Sequence, residues 1–133
     1  VNGKIVRDTK KCIGCGVCIT YCPTRAWTRS KEHYFRLVIL GRTGKRNPRL
    51  AEDFIKWCDE ESILKIAANT YAYIEEYIDP EAVENKEHIG YIVDRTGFEK
   101  FKEYIFRDVS LSEKAEVAQE VYWGGKHYDR YGG

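Results

Sequence analysis

Four of the chain's five cysteines, Cys12, Cys15, Cys18 and Cys22, fall within eleven residues in the run CIGCGVCITYCP, and Cys58 stands apart. Cysteines so closely spaced rarely pair with each other in ordinary disulfide geometry, and the staples of a small secreted domain would be spread along it. The crowding therefore points to a shared metal centre in a reducing compartment. The pattern is CxxCxxCxxxCP. Two-residue gaps let a tight loop wrap one iron-sulfur cube and present successive thiolates to separate irons. Gly14 and Gly16 remove side chains where backbone amides must approach the sulfurs, and Pro23 turns the chain away. A zinc site usually brings a second, distant ligand pair, and a disulfide needs an oxidising compartment, so spacing favours iron and sulfide over both. The candidate metal ligands are Cys12, Cys15, Cys18 and Cys22. In two-cluster proteins the cysteine before the proline ligates the other cluster. The fourth ligand of the visible cube is thus left open between Cys22, Cys58 and a residue outside the chain. Cys58, beside Trp57 and near Phe54, reads as an inert buried thiol. A thiolate-held [4Fe-4S] cube transfers one electron at a time and offers no open position to a substrate.

The elements that must position this run belong to a chain of 133 residues, one domain or a compact domain with a small appendage. With 43% hydrophobic and 32% charged residues, and no apolar stretch near the ~20 residues a bilayer demands, it reads as globular and not membrane-spanning. Lys and Arg number 22 against 21 Asp and Glu, so there is no overall basic field for nucleic acid. The cytoplasm is the expected location. Met is absent, and a chain starting Val1-Asn2 is expected to be a piece of a longer polypeptide. Residues 1 to about 33 read as a loop-dominated module with small strands near Lys4–Val6 and Ala26–Thr28. YFRLVIL, Tyr34 to Leu40, predicts a buried strand. Asp59 is positioned to cap a helix reaching about Ile78, whose face carries Ile63, Ile66, Ile74 and Ile78, and Pro80 ends it. Further helices are predicted around His88–Arg95 and Phe98–Phe106, separated by Gly97, and a last one after Ser112 on Ala115, Ala118, Val121 and Tyr122.

Other features carry less chemistry. GRTGKR has only Arg42 and Thr43 between its glycines and Arg46 where a nucleotide loop needs a hydroxyl. The basic group Arg42, Lys45, Arg46 and Arg49 is either a grip for carboxylates of a substrate, porphyrinoid or partner, or a solvated turn. His33, His88 and His127 share no ligand spacing. Tyr122, Trp123, Tyr128 and Tyr131 read as a tail that packs on a partner surface. Asp59-Glu60-Glu61 and Glu75-Glu76 read as helix-start and solvent-face charges, not as an acid-base pair.

The cysteine run is that of bacterial ferredoxins, and the residues after it make a second resemblance specific. VILGRTGKRNPRL, a gap, ESILKIAANTYAYIEEYI and IGYIVDRTGFEKFKEYI resemble the C-terminal end of siroheme sulfite and nitrite reductases. Gly41, Gly44, Pro48-Arg49 and Arg95-Thr96-Gly97 match that family's strand-loop and Arg-x-Gly turn, over roughly residues 34–107. A ferredoxin run just before the strand is similar to the anaerobic and dissimilatory branch, and EVYWGG in the tail resembles the dissimilatory kind. The family's siroheme-linked cluster uses cysteine pairs spaced CxxxxxC and CxxxC upstream of the inserted module, and no such pair precedes the run here. The resemblance therefore transfers the ferredoxin cysteines and no catalytic or siroheme-binding residue.

The expected fold is α+β. A ferredoxin-type 4Fe-4S module spans 1–33, and a strand, about four helices and an aromatic tail form a reductase-like segment over 34–133. The resemblance implies an electron-transfer and scaffold segment of a siroheme-dependent sulfite or nitrite reductase, not catalytic alone. Siroheme is expected only in the intact enzyme, and the implied partners are the rest of that reductase or its partner subunit and an electron-donor protein. A stand-alone ferredoxin-type carrier with a helical partner-binding extension, and a structural metal module, are the competing readings. The reductase-like portion of ~75 residues favours the first reading over a free carrier, which needs no such extension.

Overall fold

The computed structural model describes residues 3–41, 50–84, 86–119 and Val121, and it divides into two compact units, Val1–His33 and Tyr34–Gly133. The first unit is turns and extended segments around a single helical turn, α1 (Val17–Thr20). Lys4–Val6 and Ala26–Thr28, expected as strands, are irregular, because neither finds a partner strand among the described residues. None of the described residues 3–33 is buried. Ile5, Val6, Ile13, Val17 and Tyr21 are all exposed.

The second unit has a core and an α+β architecture. β1 (Phe35–Ile39) and β2 (Glu52–Cys58) pair antiparallel with Phe35 opposite Cys58 and Ile39 opposite Glu52. β3 (Glu116–Val117) pairs antiparallel on the other side of β2, with Val117 opposite Ile55. YFRLVIL is therefore an edge strand, not a buried one. Ile39 and Leu40 are buried, but Phe35 and Val38 remain more than 40% exposed. The central strand β2 was not anticipated. It holds Phe54, Ile55 and Cys58 in the core although its burial does not alternate, since Trp57 sits at φ 58° and breaks the pleat.

α2 (Glu60–Tyr77) starts where Asp59 predicts, with the Asp59 carboxylate accepting from the Ser62 N–H at 3.0 Å. Ile78 leaves the helix in an extended conformation two residues before Pro80. α3 (Ile89–Thr96) and α4 (Phe98–Ile105) meet at Gly97, whose φ of 96° lets the chain change direction between them without a Cβ clash. The α2 face packs chiefly on α4 and lightly on β1. Tyr73 meets Phe101 and Tyr104 edge to face with ring centroids 5.1 and 5.5 Å away, and Asn69 donates to the Ile105 and Arg107 carbonyls at 2.9 and 2.8 Å, closing the end of α4. Ile66 is buried and Ile63 and Ile74 are partly so, whereas Ile78 is exposed, so the expected stripe is shorter than its sequence period.

The helix expected after Ser112 does not form among the described residues. Ala115 ends a turn from Ser112, and Ala118 donates its N–H to the Phe54 carbonyl at 2.8 Å. Pairing along the open edge of β2 outweighs a weak local helical pattern. Among the described residues no helix is long and apolar enough to cross a membrane.

Two substitutions test this packing by urea unfolding at unchanged m-value. Ile66→Ala should cost about 2–4 kcal/mol by lost burial plus a cavity, since the side chain is 2% exposed. Asp59→Ala should cost about 1 kcal/mol through the lost cap. The Ser62 N–H holds the Asp59 carboxyl below its ordinary value, so the cap's contribution is present above that value and fades as the pH falls through the depressed one.

Candidate metal centre

Asp8 organises the entry to the cysteine run. Its carboxylate accepts from the N–H groups of Lys10 and Lys11 at 3.0 and 3.3 Å, and its carbonyl accepts from the Cys12 N–H at 3.0 Å. This turn hands the chain to Cys12, which is half-buried, before two left-handed glycines, Gly14 at φ 72° and Gly16 at φ 77°, bracket the exposed Cys15. The Gly16 carbonyl accepts from the N–H groups of Ile19 and Thr20, both at 3.1 Å, and from the Thr20 hydroxyl, so α1 begins at once and carries Cys18 on it. The Arg25 N–H then donates to the Cys22 carbonyl at 3.3 Å, a turn with Pro23 at its second position. Each bend of the loop is thus set by a residue inside or next to the run.

Cys22 sits among hydrogen-bond donors that favour its thiolate. Its Sγ lies 3.6 Å from the Thr24 hydroxyl. That hydroxyl, then the backbone amides of Trp27, Ala26 and Thr24, lower its pKa to about 7 against the opposing effect of desolvation. A thiol so held is close to half thiolate at neutral pH, the form that binds metal. Cys58 is the opposite case. It is buried at the end of β2, and burial, then the charge of Asp59, push its thiol pKa up. It belongs to the core of the second unit.

No group of three or more His, Cys, Asp or Glu side chains is gathered to hold a metal ion among the described residues. The donor set of the run nonetheless suits an iron-sulfur cluster in its chemistry: soft thiols only, one already poised to ionise, on a segment with no fully buried residue among those described. Of the other candidates, Arg42, Lys45, Arg46, Arg49, His127 and the aromatic tail Tyr122, Trp123, Tyr128 and Tyr131 lie outside the described residues. His33 is exposed, and His88 begins α3 with its ring 6.2 Å from that of Tyr91. Glu76 accepts from the Tyr104 hydroxyl at 2.7 Å, which gives it a structural role. Thr24 and Arg29 were missed by sequence reasoning. Thr24 follows Cys22 by two residues, a spacing at which a hydroxyl can reach back, whereas nothing local marks Arg29.

The sequence model of the nitrite and sulphite reductase 4Fe-4S domain matches residues 24–114, more than half of the chain. The chain belongs to this family. The likeness expected over roughly 34–107 thus extends on both sides. The 4Fe-4S binding domain model matches residues 5–28, which contain all four clustered cysteines. Among curated proteins, an anaerobic sulfite reductase subunit of Salmonella typhimurium and its counterpart in Salmonella typhi are each 36% identical over 122 residues, 92% of this chain and 36% of theirs. The chain therefore spans about a third of the length of the curated relatives it matches. No solved structure matches it significantly.

The nitrite and sulphite reductase family implies siroheme as well as iron and sulfide, and the two groups fare differently here. An open cavity of about 390 Å³ in the second unit is lined by Leu37, Val38, Ile63, Ile66, Ile74 and Phe101, with Thr70 and Tyr71 as its polar members. Among the described residues its lining offers no cation to the carboxylates of a porphyrinoid, so those residues do not fit siroheme.

The contrast between the two kinds of thiol is measurable. In the metal-free chain iodoacetamide should alkylate Cys22 at a rate that climbs through about pH 7 and then levels, while Cys58 stays unlabelled until the chain is unfolded. Peptide mass mapping reads both, and equal labelling of the two in the folded chain would contradict the assignment.

Proposed function

We propose that this chain is an electron-relay and scaffold segment of a siroheme-dependent sulfite reductase, in which Cys12, Cys15, Cys18 and Cys22 hold a [4Fe-4S] cluster. The observation that carries the reading is a thiol-only donor run, on a unit with no fully buried residue among those described, that leads directly into a reductase-family segment with its own core. The cluster, when bound, supplies one-electron transfer. The chain's own residues do the rest. Asp8, Gly14 and Gly16 shape the loop, and Thr24 with its neighbouring amides favours the thiolate at Cys22. The second unit serves as a scaffold, with α2 and α4 clamped by Tyr73 and Asn69.

The name of the relatives supports sulfite over nitrite as the substrate of the intact enzyme, and it supports partner subunits as well. The role proposed for this chain is the delivery of electrons, carried by the cysteine run that precedes the reductase-family segment. The remaining parts of the reductase, an electron-donor protein upstream and a location in the cytoplasm complete the proposal, the last because exposed thiols persist in a reducing compartment.

Anaerobically reconstituted chain should show a broad visible absorption that bleaches with dithionite. Cys15→Ser should abolish it and Cys58→Ser should leave it intact. Loss of the band in the Cys58 variant would make Cys58 a ligand, and persistence in the Cys15 variant would remove the run from the site. The same loaded chain should produce no sulfide from sulfite with reduced viologen as donor, since it supplies no centre to bind the oxyanion. Steady sulfide production would overturn the relay assignment.

A further inference from the structure

Gly16 stands between Cys15 and Cys18 with φ 77°, and a Cβ built on it would lie 2.8 Å from Nη2, 3.2 Å from Cζ and 3.4 Å from Nη1 of Arg29. Three atoms of one guanidinium thus lie against the backbone of the cysteine loop, at a position where the missing side chain makes room for them. The charge there is permanent, because a guanidinium does not deprotonate in proteins. It is also in keeping with its surroundings. Residues 1–33 carry seven Lys and Arg against two Asp and Glu, while residues 34–133 carry fifteen against nineteen, so the near-neutral whole conceals a basic cysteine unit.

A centre bound by four thiolates is anionic, and accepting one electron without a proton makes it more negative by one unit. A fixed cation beside the loop stabilises the reduced form more than the oxidised one, and net charge is among the factors that set such potentials. We infer that Arg29 tunes the reduction potential of the cluster, holding it higher than the cysteine loop alone would. The inference rests on the ligand assignment proposed above. It goes beyond that assignment in giving a residue outside the motif a defined electrostatic role, and in giving Gly16 a reason beyond its turn, since a side chain at 16 would displace the guanidinium.

The test is a dithionite-driven redox titration of the loaded chain, with iron and sulfide assayed in every sample, for wild type, Arg29→Gln and Arg29→Lys. At the wild-type midpoint, Arg29→Gln should hold about fivefold less reduced relative to oxidised cluster, which is about 40 mV at 59 mV per tenfold for a one-electron couple. Arg29→Lys should recover most of that shift. The gap between wild type and Arg29→Gln should narrow at 1 M salt, because Arg29 is exposed and its charge is screened. An unchanged potential in Arg29→Gln, or an equal shift in Arg29→Lys, would overturn the inference while leaving the ligand assignment standing. Loss of iron and sulfide from Arg29→Gln alone would make Arg29 a prop of the loop and likewise overturn it. A wild-type chain that takes up no cluster would sink the ligand assignment, and this inference with it.

Discussion

The physical constraint on which the rest depends is that the described residues of the cysteine unit form no core of their own. Fixing some thirty residues costs about 1–2 kcal/mol of backbone entropy each, and a segment whose described residues include none that is fully buried, with Ile19 and Trp27 only partly so, has little hydrophobic gain to set against that. Segments below about 40 residues need disulfides, a metal or a partner to hold one structure. The local bonds at Asp8, Gly16 and Cys22 bend the loop but do not supply that energy. Metal-thiolate bonds at the proposed ligands would, since ligation of a site absent from the unfolded chain is itself folding free energy. Under the proposed ligand assignment, the bonds that carry electrons would also be the ones that hold the unit together.

The second unit is built on the opposite principle. Phe54, Ile55, Tyr73, Phe101 and Ile105 are almost wholly buried, and side-chain bonds such as Asn69 to the end of α4 and Ser62 to the Ser110 carbonyl tie distant segments into one core. Such a scaffold can keep its shape through repeated changes of charge elsewhere. In the cysteine unit charge is instead the working quantity. Thr24 and nearby amides favour negative charge on Cys22, and Arg29 brings a fixed positive charge to the loop between Cys15 and Cys18.

What could be read from sequence depends on how local each feature is. The cysteine run, the Asp59 cap and the Gly97 break are legible because each is written in residues a few positions apart. β2 was missed because AEDFIKWC does not alternate, its pleat being broken at Trp57, and β3 was mistaken for a helix because Ala115, Ala118 and Val121 are compatible with a helical period. β3 forms by pairing with β2 across some sixty residues of chain, and β2 itself pairs with β1 across a stretch of basic and breaker residues, relations that no short window reveals. YFRLVIL was legible as a strand but not as an edge, for the same reason. At the site, Thr24 lies within local reach of Cys22, whereas the meeting of Arg29 with Gly16 depends on how the whole loop folds back.

The central claim is that four thiolates bound to an iron-sulfur cube stand in for the missing core of the cysteine unit. Elemental analysis of anaerobically purified chain, with acid-labile sulfide measured on the same sample, tests it most directly. The account predicts about four iron and about four sulfide per chain and no zinc. One zinc per chain with neither iron nor sulfide would contradict it.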